Sequence, residues 1–327
     1  MIQRGVLMQF SRRGFMACSL AGAAVLATPA FAMEKLTIVA TTGMIADTAR
    51  RVGGDFVDVK GLMGSGVDPH AYRQTRSDIV AMTQADLVLF HGLYLEAQME
   101  EFLHKLEKRV NVRAVTDTIP RDLLREHPDY EDKFDPHVWM VPDIWTHCVM
   151  HIRDVMTEAR PDMAEAFAAN TKTLLQELGN LQAYAKTASA TVPDNSRVLV
   201  TAHDAFGYFG REYDFEVLGI QGISTQSEAG LNRIGELVDI LVERKISAVF
   251  VESSVSDRSI RALSEGAAAQ GHNVIIGGEL FSDAMGAEGT YEGTYPGMID
   301  HNVTVIANAL GGQTPERGLA GKLSAGF

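Results

Sequence analysis

The feature that most restricts the fold is an alternation of short β-rich apolar runs with longer amphipathic stretches, present in two separate blocks. In the first block, Leu36–Ala40, Val57–Leu62, Leu87–Phe90 and Val110–Val115 read as strands, with helices around Ile45–Val52, Ser77–Ala85 and Leu95–Leu106. In the second, the strands are Val198–Ala202, Phe215–Leu218, Ala248–Val251 and Val274–Ile276, and the helices lie near Ala205–Tyr213, Leu231–Lys245 and Ser259–Gln270. Strands that alternate with helices in this way belong to parallel sheets covered on both faces. The expected class is therefore α/β, with two lobes each built on a parallel β-sheet flanked by helices.

Between the blocks lies a segment that reads as wholly helical. Pro161 suits a first helical residue, Pro193 stops the run, and no glycine interrupts it before Gly179. Phe167, Leu174, Leu178, Leu181 and Tyr184 fall on one apolar stripe. A helix of roughly 25 residues, on the order of 40 Å long, is expected to join the lobes as one rigid backbone helix. An ordinary surface helix within one domain is the alternative. The expected boundaries are 33–160 for the N-terminal lobe, 161–192 for the connecting helix and 193–310 for the C-terminal lobe. Residues 311–327, with five glycines, read as a flexible tail.

Residues 1–32 stand apart from the fold. They contain Arg4, Arg12 and Arg13 and no acid, then an apolar stretch from Phe15 to Leu26, then Ala30-Phe31-Ala32. This is the pattern of a signal peptide cleaved near Ala32/Met33, which directs the mature protein to the periplasm. Ser11-Arg12-Arg13-Gly14-Phe15-Met16 has the form of a twin-arginine export signal. Cys18 falls inside this segment, upstream of most of its apolar stretch, and makes a poor acylation site. Cys148 is then the one cysteine of the mature chain, which excludes an intramolecular disulfide and a cysteine-based metal cluster. The net charge of −13 becomes more negative once the three arginines are removed, which argues against nucleic acid and anionic lipid as partners.

One tripeptide occurs twice, as Asp68-Pro69-His70 and as Asp135-Pro136-His137. Proline fixes its own φ and keeps the residue before it extended, so each copy is a stiff turn that presents its histidine at a defined angle. The aromatic residues two positions on, Tyr72 and Trp139, would wall off one side of each imidazole. His203 follows the strand Val198–Ala202, and Asp283 follows the last predicted strand, both at the carboxyl ends where open α/β sheets place ligands. Two side chains come from each lobe, so they would meet only in the cleft between them. Three neutral imidazoles and a carboxylate suit Zn²⁺ or another first-row divalent ion. Binding by neutral imidazole should weaken as pH falls through about 6.5.

Asp68, Asp135 and Asp204 each stand beside a candidate ligand, as acceptors for a ligand ring or, more commonly for such positions, as turn and cap residues. Glu252, directly after Ile246–Val251, is a further candidate acceptor. His147 and His151 have the i, i+4 spacing of a helical metal pair, but Cys148, Val149 and Met150 between them supply no glutamate, and a solvated helix face is expected.

These motifs, together with His203–Gly210, Gly222-Ile223-Ser224-Thr225-Gln226-Ser227-Glu228 and Gly277-Gly278-Glu279-Leu280-Phe281-Ser282-Asp283, resemble the TroA-like zinc/manganese solute-binding proteins of ABC transporters. The resemblance runs from about Leu36 to about Leu310. It implies four-stranded parallel sheets, and His70, His137, His203 and Asp283 as ligands to one Zn²⁺ or Mn²⁺ carried as cargo. It also implies a membrane permease and a cytoplasmic ATPase as partners of a monomeric binding protein. The stretch Pro120–Phe134 holds only His127 where zinc importers often carry a His-rich loop, and His203 stands where manganese members often have glutamate. Imidazole softness favours Zn²⁺, and both metals stay open.

Two other functions compete. A metal buffer or adhesin would use the same site without transport. A zinc hydrolase would need an open coordination position and a general base, and neither HExxH nor GxSxG is present, so no enzymatic activity is expected.

Overall fold

The computed structural model describes residues 34–128, 130–226 and 230–324. The expected signal segment and its cleavage point at Ala32/Met33 lie outside the described residues, as do Ser227 and Glu228.

The first lobe holds β1 (Leu36–Ala40), α1 (Gly43–Gly53), β2 (Val57–Gly61), α2 (Arg76–Gln84), β3 (Leu87–Phe90), α3 (Glu100–Leu106) and β4 (Val112–Ala114). Its strands form one parallel sheet in the order β2-β1-β3-β4, with Leu36 opposite Val57, Ile38 opposite Leu87 and Val88 opposite Val112. Helix α2 begins where it does because Thr75 and Asp78 cap one another: the Asp78 carboxylate accepts the Thr75 N–H at 2.8 Å, and Thr75 Oγ1 accepts the Asp78 N–H. The sequence predicts a helix over Leu95–Leu106, yet α3 starts only at Glu100. Leu93 and Tyr94 are left-handed, at φ of 52° and 66°, and the Glu96 carboxylate takes the His91 N–H at 2.7 Å, which winds this stretch as turns.

Two helices were not among those predicted from the sequence. Helix α4 (Pro142–Ala159) follows the first lobe and carries an apolar stripe that includes Ile144, Cys148, Ile152 and Val155. The other, α9 (Tyr295–Ala309), lies near the C-terminus and is buried on nearly all sides, so it has no polar face to set a period. Helix α5 (Ala164–Ala190) is the long connector: its 27 residues span about 40 Å. Its buried side includes the predicted Phe167, Leu174, Leu178 and Leu181, while Tyr184 is half-buried.

The second lobe runs β5 (Val198–His203), α6 (Gly207–Tyr213), β6 (Glu216–Gln221), α7 (Leu231–Arg244), β7 (Ala248–Glu252), α8 (Arg258–Ala269), β8 (Ile275–Leu280) and α9 (Tyr295–Ala309). Its strands pair as β5–β6 and β7–β8, both parallel, rather than as one ladder of four; β5 and β7 lie side by side. At that seam the His203 N–H goes to the Glu252 side chain at 2.9 Å.

The long helix packs against α1 and α4 and also against α6 and α9 of the second lobe. One apolar cluster consequently runs through both lobes, from Ile38 and Leu89 through Trp145 and Leu178 to Phe250 and Ile306. The expectation of a flexible tail is corrected for 311–324. Fully buried Asp300 accepts the N–H groups of Leu319 (2.8 Å) and Ala320 (3.2 Å), Glu292 accepts that of Ser324 (2.7 Å), and Leu323 is buried. A buried carboxylate needs such donors, and the tail supplies them.

Because the lobes share a core, Leu178→Ala should cost about 2–5 kcal/mol and lower a single cooperative unfolding transition. Calorimetry that resolved two independent transitions would contradict the shared core.

Candidate metal centre

The four candidate ligands converge. His70 arrives on the loop after β2, His137 on the long loop after β4, His203 as the last residue of β5, and Asp283 three residues after β8. One ligand atom from each lies within 4.8 Å of all the others, and all four residues are buried. Nε2 of His70 and Nε2 of His137 are 3.4 Å apart; Asp283 Oδ1 is 3.3 Å from His137 Nε2, and Asp283 Oδ2 is 3.2 Å from His203 Nε2 and 3.7 Å from His70 Nε2. A tetrahedral ion with bonds of about 2.0–2.1 Å has donor–donor edges of about 3.3–3.4 Å, so the cluster is close to the size of that cage. Buried His203 Nε2 and both Asp283 oxygens lack a properly aligned hydrogen bond among the described residues, and all three face the centre of the cluster. Buried polar atoms are nearly always satisfied, so three orphans at one point mark a site built for a ligand.

The two Asp-Pro-His turns are built alike. His70 N donates to Asp68 Oδ1 at 2.8 Å, and His137 N to Asp135 Oδ1 at 3.0 Å, so each aspartate closes its own turn. They diverge beyond that. Asp135 also bonds the Nδ1 of His137 at 2.7 Å, and its other oxygen accepts from Arg125 at 2.6 Å. Asp68 accepts instead from Thr225 across the cleft at 2.6 Å. His203 gains its partner from another strand: Glu252 takes its Nδ1 at 2.5 Å. Carboxylates on Nδ1 hold a proton there and turn Nε2 towards the cluster, where its lone pair takes a cation once the ring is neutral. Asp204 bonds none of these rings; burial and the nearby Asp135 raise its carboxyl above the usual range.

Electrostatics divide the histidines. Burial, reinforced by the neighbouring rings and only partly opposed by Asp283, pushes His70 down to about 3. Burial works against a charge on His137 too, yet Asp135 and Asp283 outweigh it and raise that ring to about 9. Glu252 and Asp283 likewise overcome burial to hold His203 well above its usual value. Burial would raise Asp283, but the facing His203 and His137 rings keep it well below the carboxylate range. In the metal-free protein at neutral pH, His137 and His203 therefore carry protons that Asp283, Asp135 and Glu252 neutralise.

Several supporting residues have no signal in the local sequence. His91 donates to Pro136 O at 2.7 Å, and Trp139 donates its indole N–H across the cleft to Ser282 O at 2.8 Å, beside Asp283. Tyr208 accepts Arg125 N–H and donates to Asp135 O at 2.8 Å. Trp139 does wall the His137 ring, at 5.1 Å between centroids, whereas Tyr72 turns away to donate to Asp78 at 2.7 Å. His147 and His151 sit half-buried on α4, away from this cluster.

Fold and cleft together define a class: two-lobed binding proteins that enclose a small ligand between parallel-sheet lobes joined by a backbone helix. Residues 38–309 match the family described as "Zinc-uptake complex component A periplasmic". The chain is 49% identical over 278 residues to the manganese-binding lipoprotein MntA of Bacillus subtilis (strain 168), covering 85% of this chain and 90% of the relative. It is 44% identical over 276 residues to the zinc-binding protein TroA of Treponema pallidum (strain Nichols), covering 84% and 89%. The solved structure of the periplasmic zinc-binding protein TroA from Treponema pallidum superposes with a TM-score of 0.81, covering 84% of this chain and 99% of that one. The chain belongs to this family of transporter binding components, which are not enzymes, and the hydrolase alternative is set aside on that ground.

Histidine ring resonances of the metal-free protein should show His137 losing its proton near pH 9 and His203 well above the ordinary imidazole range, with His70 neutral until about pH 3. Both raised values lie above the unfolded reference of about 6.5. The stability that His137 lends the metal-free fold is thus complete below about 6.5 and lost as pH rises through 9. A His137 ring titrating near 6.5 would show that Asp135 and Asp283 do not act on it as described.

Proposed function

We propose that this protein captures one divalent transition-metal ion, Zn²⁺ or Mn²⁺, outside the cytoplasm and delivers it to an ABC import permease driven by a cytoplasmic ATPase. The ligands are His70, His137 and His203 through Nε2, and Asp283 through its carboxylate. The observation that carries this reading is the convergence of four buried donors, two from each lobe, at cage distance. The residues 1–32, with their signal-peptide pattern and cleavage near Ala32/Met33, supply the export step, and the mature chain acts as a monomer.

The same geometry accounts for both metals. Three imidazoles and one carboxylate oxygen make the four-coordinate set that Zn²⁺ favours. Both oxygens of Asp283 face the cluster, one towards His137 and the other towards His203. Chelation by both gives a fifth donor and more oxygen character, which suits Mn²⁺. The first-named relatives bind manganese and zinc respectively.

Elemental analysis of the mature protein should find about one ion per chain, and His70→Ala and His203→Ala should each lose most of it. Unchanged stoichiometry and affinity in both variants would sink the ligand assignment. Loading at pH 7 should also expel about two protons per ion, from His137 and His203, and fewer above pH 9. Dye-coupled proton release in weak buffer measures this, and release of none would mean that the rings are already neutral.

A further inference from the structure

The cage is unequally supported, and the inequality falls on one ligand. His137 and His203 each have a carboxylate on Nδ1 and side chains 0% exposed, and Asp283 is equally enclosed. Among the described residues, no carboxylate bonds the Nδ1 of His70, whose side chain is the one of the four with any exposure, at 3%. His70 also lines a surface cavity of about 490 Å³ bordered by Tyr94 and Ile223. Asp283 borders a smaller cavity of about 110 Å³ on another side, but its carboxylate has no exposure there.

The His70 turn is held from across the cleft by two residues just after β6. Thr225 Oγ1 donates to Asp68 Oδ2 at 2.6 Å, and Gln226 Nε2 donates to His70 O at 2.7 Å. The remaining amide oxygen of Gln226 accepts from Gln98 at 3.0 Å, which fixes the orientation of the amide. Gln226 is exposed and Thr225 half-buried. The bonds that hold the His137 turn from the second lobe, by contrast, come from buried Tyr208. Water competes readily for an exposed hydrogen bond and hardly at all for a buried one.

Building on the metal reading above, we infer that the ion enters and leaves past the His70 turn, and that Thr225 and Gln226 are positioning residues that latch this turn closed. Breaking the latch frees His70 with its own turn, while His137, His203 and Asp283 stay in place on their buried supports. No movement of one lobe against the other is required. The latch governs the rate of exchange more than the capacity of the site.

The test uses the mature chain loaded with Zn²⁺ and measures the rate of release into excess chelator. The paired variant Thr225→Val with Gln226→Ala should keep about one ion per chain and release it about tenfold faster, as expected for losing one or two hydrogen bonds of ordinary strength. Thr225→Ser, which retains the hydroxyl, should release close to the wild-type rate, and the unfolding transition of the metal-free double variant should match wild type. Tyr208→Phe removes the buried support of the His137 turn and is the comparator. Release from the double variant within twofold of wild type would overturn the latch, as would faster release from Tyr208→Phe than from the double variant. Retention of the ion by the His203→Ala variant would instead refute the ligand set, and the latch would fall with it.

Discussion

The site depends on a charge arrangement that the fold must hold away from water. Three imidazoles and a carboxylate are buried at one point, where a lone polar atom is costly and an unpaired charge far more so. Asp135 and Glu252 stand behind two of the rings and make the cluster tolerable in the absence of an ion, because His137 and His203 can then carry protons opposite Asp283. An arriving dication replaces those protons in a space already polarised for positive charge. The carboxylates behind the rings thus serve the empty and the filled protein alike, first as counter-ions to protons and then as anchors that keep Nε2 turned inward.

Holding such a cluster requires two surfaces that meet without sliding. The shared apolar core and the 27-residue helix provide the coarse constraint. The fine constraint is polar and local: Trp139 reaches Ser282, Tyr295 OH reaches Trp139 O at 2.8 Å, and Tyr295 N donates to Asp47 at 3.0 Å. Each bond joins first-lobe residues to the segment that carries Asp283 or follows it. Trp139 is therefore both a wall for His137 and a clamp between lobes, and a smaller aromatic side chain without the indole N–H would supply only the first.

Most of this architecture was legible in the sequence, and the omissions have physical reasons. The amphipathic helices α1, α7 and α8 declare themselves by period, because each has one wet face and one dry face, and strands such as β3 and β5 declare themselves as short apolar runs buried on both faces. Helix α9 does not, since 12 of its 15 residues are buried and no polar stripe remains. The candidate ligands were readable because the Asp-Pro-His device repeats and because His203 and Asp283 stand at strand ends. Their supports were readable only in part: Glu252 was a candidate acceptor by its place after a strand, but its pairing with His203, 49 residues away, and that of Asp68 with Thr225, 157 residues away, come from the fold. Nothing local distinguishes those residues from ordinary loop and strand-end polar groups. The two identical tripeptides even suggest equal roles for Asp68 and Asp135, whereas the fold gives a ring to one and a cross-cleft threonine to the other.

That divergence has a consequence for how a rigid protein can exchange its cargo. Binding proteins with flexible hinges open the cleft as a whole, and all their ligands part together. Here the continuous core resists such opening, so a ligand must move on its own element. β5 ends at His203 inside a hydrogen-bonded strand pair, and His137 is braced by Asp135, Arg125 and Tyr208, so neither moves without disturbing buried structure. The loop carrying His70, residues 62–75 between β2 and α2, is closed at the His70 turn by its own aspartate and by exposed Gln226. Rigidity elsewhere is what concentrates mobility there, and it lets one weakly supported imidazole control exchange at a site that the other three donors keep formed.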